Sequence, residues 1–112
     1  TMAKTYYDTV TIASGESQSN GLPLGGRELC GLTIPATITG GSVTFLNSDD
    51  LDGTYSTVYD PENEADYSVN IAAGKYIPVD ITKLAGASNI KVASDTTEGG
   101  ARTIGISTKD LT

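Results

Sequence analysis

Apolar side chains recur at every second position in short runs, and each run is closed by Gly, Pro, Asp or Asn. That period places alternate residues on one face of a strand, so the pattern predicts strands and not helices. Val10 and Ile12 alternate with Thr9 and Thr11, predicting a first strand over 6–13. Leu22-Pro23-Leu24 is a short extended piece that its proline confines to an edge or a connection. Cys30, Leu32 and Ile34 predict one inward face, ended by Pro35, and Val43 with Phe45 predicts another over 42–47. Tyr55, Thr57 and Tyr59 alternate in a further run, as do Tyr67, Val69 and Ile71. Ala72-Ala73-Gly74-Lys75 reads as a tight hairpin into Tyr76, Ile77 and Val79. Ile90 with Val92, and Ile104 with Ile106, mark the last strands, with 109–112 as a tail.

Only 81–85 departs from this rhythm. Asp80 or Thr82 there caps one short helical turn, and Gly86 stops it. About eight short strands at such spacing predict an all-β fold, a small antiparallel β-sandwich or jelly roll. The expected organisation is a single domain over 8–112, preceded by an N-terminal arm over 1–7. Thr1–Tyr7 holds one Lys and no apolar stretch, so it does not read as a signal peptide.

Composition then narrows the function. The 112 residues include 14 acidic and 7 basic side chains, for a net charge of −7. Such a balance argues against nucleic acid as a partner, because phosphate is bound by clustered Lys and Arg. No apolar run approaches the ~20 residues of a membrane span, so no membrane partner is expected. The chain has no His, the commonest general base and metal ligand, and its one Cys cannot form an internal disulfide. Cys30, with no His to activate it, reads as a small buried hydrophobe. No catalytic residues are expected, and the chain is read as a non-enzyme.

Two acidic loops and four tyrosines are the candidate sites. Ser48, Asp50 and Asp52 before Gly53 echo the first half of a calcium loop, but the first position is Ser48 and Tyr59 replaces the Glu expected at the twelfth, which leaves Asp49, Asp50 and Asp52 as the carboxylates to consider. They are weak metal candidates, calcium is the one cofactor considered, and a solvated turn is the stronger reading. Asp60, Glu62, Glu64 and Asp66 read as a second solvated, edge-protecting loop. Tyr55 and Tyr59 share a predicted strand face, and adjacent Tyr6 and Tyr7 sit on the predicted arm. An aromatic ring with a hydroxyl suits an interface, so Tyr6, Tyr7, Tyr55 and Tyr59 are the candidate partner-binding residues.

The order of these motifs carries a resemblance. Val10–Asn20 (VTIASGESQSN) runs into Leu24–Pro35 (LGGRELCGLTIP). Val43-Thr44-Phe45-Leu46 with its Asp-rich loop, Ala73–Ile77 and Ile90-Lys91-Val92 come after them in the chain. This arrangement resembles small β-sandwich virion proteins encoded among the head and tail genes of tailed bacteriophages. The resemblance implies a virion structural protein of capsid decoration or accessory type, with the major capsid protein or other virion proteins as partners. It also implies a homo-oligomer on a symmetric lattice and localisation in the virion. A tail, neck or baseplate component, or a carbohydrate- or cell-surface-binding module, is the alternative.

Overall fold

The computed structural model describes residues 4–111. Among the described residues there are eleven strands: β1 (Lys4–Ile12), β2 (Leu22–Pro23), β3 (Glu28–Thr33), β4 (Ser42–Ser48), β5 (Ser56–Thr57), β6 (Tyr59–Asp60), β7 (Ala65–Asp66), β8 (Ser68–Asn70), β9 (Tyr76–Pro78), β10 (Asn89–Ser94) and β11 (Arg102–Asp110). One 3-10 turn, Ile81–Leu84, lies between β9 and β10.

The strands form two antiparallel sheets with the orders β1-β11-β3-β9 and β2-β10-β4-β8, with β5 alongside β8 on the same edge of β4. Successive strands alternate between the sheets, except where the chain runs from β4 to β8. That ordering of eight strands is a jelly roll. The β6–β7 ribbon is an elaboration on the β4–β8 connection. The expected all-β sandwich or jelly roll, with one short helical turn, is what the chain adopts.

The core is the set of inward alternating residues from both sheets. Val10 and Ile12, Val43 and Phe45, Ile90 and Val92, and Ile104 and Ile106 are all buried. Phe45, the single Phe, stacks against Tyr67 with centroids 5.9 Å apart. Burying a side chain of this size is worth about 1.5–3 kcal/mol. Pro23 does sit on an edge strand, β2. Asp80 caps the 3-10 turn as predicted: Thr82 donates to Asp80 Oδ1 through both its N–H (3.0 Å) and its hydroxyl (2.7 Å). Gly86, at φ +85°, lets the chain leave that turn.

Four local expectations fail, each for a physical reason. Residues 4–7 are not an arm; they form the first half of β1 and pair with the end of β11, which also takes Lys109 and Asp110 out of the expected tail. Residues 1–3 lie outside the described residues. Cys30 is half-buried and not an inward core residue, because the β3–β11 register skips it: Ser107 faces Gly31, yet Thr108 faces Leu29. This bulge lets Leu29 and Leu32, three apart, both face the core.

The Ala72–Lys75 turn is not a hairpin. Its ends enter β8 and β9, which belong to different sheets, so the turn is a crossover. The Gly74 N–H donates to Pro35 O, and the Ile34 N–H to Lys75 O, which fix it to the β3 end. Finally, Tyr55, Thr57 and Tyr59 do not share a strand. β5 pairs with β4 and β6 with β7, and between them the Val58 N–H donates to Phe45 O.

Candidate functional site

The alternation of β1 sends adjacent Tyr6 and Tyr7 to opposite sides of the sheet. Tyr6 lies on the side of Val10 and Ile12, beyond the end of the core, and is half-buried. The left-handed pair Gly25 and Gly26 (φ +63° and +79°) turns Arg27 over it. The guanidinium sits 4.4 Å from the Tyr6 ring centroid, and Lys4 Nζ sits 5.1 Å from it. Arg27 also donates to Thr108 Oγ1 (3.1 Å) and reaches Asp8 Oδ2 at 3.5 Å. Tyr6 is therefore held within its own chain. Tyr7 is 77% exposed on the outer face of the β1 sheet.

Tyr55 belongs to the first acidic loop. Its hydroxyl donates to Leu51 O (2.8 Å), and Lys91 Nζ lies 4.5 Å from its ring centroid. Burial raises its pKa, and the charges of Asp52 and Asp50 add to that. An open groove of about 440 Å³ runs along Asn20, Gly21, Leu51, Asp52, Tyr55 and Lys91. The loop closes on itself. Ser48 Oγ donates to Asp50 O (2.6 Å) and accepts from the Asp50 N–H (3.1 Å), and the Gly53 N–H donates to Asp50 O (2.9 Å). Asp49, Asp50 and Asp52 are not gathered around a common point. Among the described residues, no three His, Cys, Asp or Glu side chains are placed to hold a metal ion.

Tyr59 is exposed on the β6–β7 ribbon. Its neighbour Asp60 departs from the expected solvated loop, because it is buried. It accepts from the Glu62 N–H (3.1 Å), Asn63 Nδ2 (2.7 Å) and Lys83 Nζ (3.1 Å). Burial would raise its pKa, but Lys83, Asn63 and the Glu62 N–H outweigh it and hold the carboxyl low. Lys83 also reaches Glu62 Oε1 at 3.3 Å, so one ammonium ties the ribbon to the 3-10 turn.

The largest electrostatic feature was invisible as a site in the sequence. Glu98, in the polar loop before β11, has no exposed surface. Its carboxylate accepts from the Thr39 N–H (2.8 Å), Gly40 N–H (2.9 Å), Ser94 Oγ (2.8 Å) and Arg102 Nε (2.9 Å). Burial opposes its charge, but these four donors outweigh it and hold its pKa down to about 2. Gly40 is required there, since a Cβ would collide with the Ser94 hydroxyl and the Asp95 carboxylate. The only sequence signal was the i,i+4 spacing of Glu98 and Arg102.

The four candidate tyrosines thus do not form one patch. Tyr6 and Tyr55 are engaged within the chain, while Tyr7 and Tyr59 are free to meet another surface. The buried carboxylates of Asp60 and Glu98 are committed to structural donors.

No protein-family model matches the sequence, and no curated protein matches it. Among solved structures, the chain is similar to the crystal structure of the SPBc2 prophage-derived protein YomS. The two share 15% identity over 98% of this chain and 96% of that one, with a TM-score of 0.63. At that identity the likeness is one of fold, over the full length of both chains.

Proposed function

We propose that the chain is a non-enzymatic structural protein of a tailed-phage virion, of the capsid decoration or accessory type, bound to the outside of the head. The observation that carries this reading is the full-length likeness in fold to a prophage-derived protein, which agrees with the sequence motifs. The surface is compatible with it. Exposed acidic groups concentrate at 49–52 and 62–66, where they repel a packaged genome and keep unassembled copies soluble. The rigid sandwich presents Tyr7 and Tyr59 outward.

A carbohydrate-binding platform made by Tyr55 and Tyr59 draws no support, because the two residues do not share a strand. Incubating the purified protein with genome-filled capsids and with isolated tails, each followed by gradient sedimentation, tests the proposal. Co-sedimentation with capsids is expected. Binding to tails alone moves the protein to a tail, neck or baseplate position.

A further inference from the structure

The two sheets end in four edges, and three of them are blunted. β2 has two residues and contains Pro23. β9 has three residues and ends at Pro78. The far edge of β4 is covered by β5 and β8, of two and three residues. Short and proline-bearing edges offer few main-chain groups to another strand. β1 is different: it has nine residues, no Pro and no Gly.

Only the last part of the β1 edge is covered among the described residues. The Thr11 N–H donates to Asn20 Oδ1 (2.8 Å), Thr11 O accepts from the Asn20 N–H (3.3 Å), and Ile12 bridges Ser19. In antiparallel pairing each residue turns its N–H and C=O to one side and the next residue to the other. Thr11 points to the open edge, so Thr9, Tyr7 and Thr5 do too, while Tyr6, Asp8 and Val10 bond to β11. Three exposed residues therefore present unpaired N–H and C=O groups in a row.

We propose that this edge pairs with the same edge of a second copy, the two β1 strands running antiparallel about a two-fold axis at Tyr7. The strand is self-complementary in that register. Tyr7 faces Tyr7, Thr5 faces Thr9, and Tyr6 faces Asp8. Asp8 of the second copy comes opposite the ring that carries Lys4 and Arg27, so its charge meets two cations. Other two-fold registers fail. An axis at Asp8 places like charges opposite each other and drives Thr5 against the covered Thr11. An axis at Thr9 drives Tyr7 against Thr11. An axis at Tyr6 leaves Thr9 outside the matched set. The Tyr7 axis matches all three free residues among themselves and joins two four-stranded sheets into one. This is an isologous contact made by strand addition, and it holds wherever in a virion the protein sits.

Sedimentation equilibrium at concentrations up to about 1 mM tests the contact. The expected mass is twice 11.6 kDa. Tyr7→Lys places two ammonium groups face to face and is expected to weaken association at least ~10-fold, with an unchanged circular dichroism spectrum. A second arm fixes the register in a Cys30→Ser background. Residues facing each other in a hydrogen-bonded pair have Cα atoms about 5.5 Å apart, within disulfide reach. Tyr7→Cys should then cross-link to itself on oxidation, and Thr9→Cys should not. A monomer at all concentrations, an oligomer indifferent to Tyr7→Lys, or cross-linking through Thr9→Cys and not Tyr7→Cys would overturn the proposal.

Discussion

Glu98 keeps a full charge without exposed surface because two backbone N–H groups, a hydroxyl and Arg102 converge on it. Replacing it with Gln keeps the size but removes the charge-assisted bonds and leaves Arg102, itself largely buried, without its anion. The expected cost is about 2–3 kcal/mol, read as a lower urea midpoint at pH 7. The pH dependence has a definite sign. The carboxyl titrates at its ordinary 4.5 when unfolded and at about 2 when folded. Between those values the unfolded chain binds more protons, so stability is complete above about pH 4.5 and falls as the pH drops toward 2. Asp60 and Asp80, also held low, act in the same direction. Glu98→Gln should therefore flatten the acid limb without abolishing it. An unchanged limb would mean that the Glu98 network contributes little. Beyond the spacing of Glu98 and Arg102 this was not legible in the sequence, because the two backbone donors, Thr39 and Gly40, lie 59 and 58 positions earlier and carry no side-chain signal.

At the scale of elements, legibility tracks the regularity of the alternation. Val10 with Ile12, Val43 with Phe45, and Ile104 with Ile106 keep strict period two, and all lie inward as the pattern predicts. The pattern misleads where one residue interrupts the period. The bulge at Cys30 moves the inward phase onto Leu29, and the break at Val58 divides one apparent strand into β5 and β6. The β6–β7 ribbon is the product of that second break. It has two-residue strands and no share in the main sheets, so beyond its base at Val58 and Tyr67 it is fastened by Lys83 bridging Asp60 and Glu62. Lys83→Met leaves Asp60 buried without its cation. Amides of 59–66 should then exchange about ten-fold faster, while those of β4 and β10 keep their protection. Hydrogen-exchange mass spectrometry resolves the two regions, and uniform loosening would show that Lys83 supports the whole sandwich and not the ribbon alone.

At the scale of the molecule, the jelly roll makes the first and last strands neighbours. β11 lies between β1 and β3, and its nine residues pair with all nine of β1. Strand spacing indicated a sandwich or jelly roll, but it carried no information on which strands adjoin; that is decided by which inward faces meet across the core. The consequence is a fold that closes only when nearly the whole chain is present. Removing 102–112 takes Ile104 and Ile106 out of the core and leaves β1 and β3 without a common partner. Two buried Ile side chains alone account for about 3–6 kcal/mol, against a typical total of about 5–15 kcal/mol. The truncated chain should therefore lack the β-sheet circular dichroism of the full one. Refolding of the intact chain should be slow for its size, in the range of about milliseconds to seconds, because β1 cannot pair until β11 arrives. Stopped-flow refolding measures this directly. A microsecond phase that recovers the full signal would mean that the sandwich is assembled from local hairpins, with the β1–β11 closure a minor part of its stability.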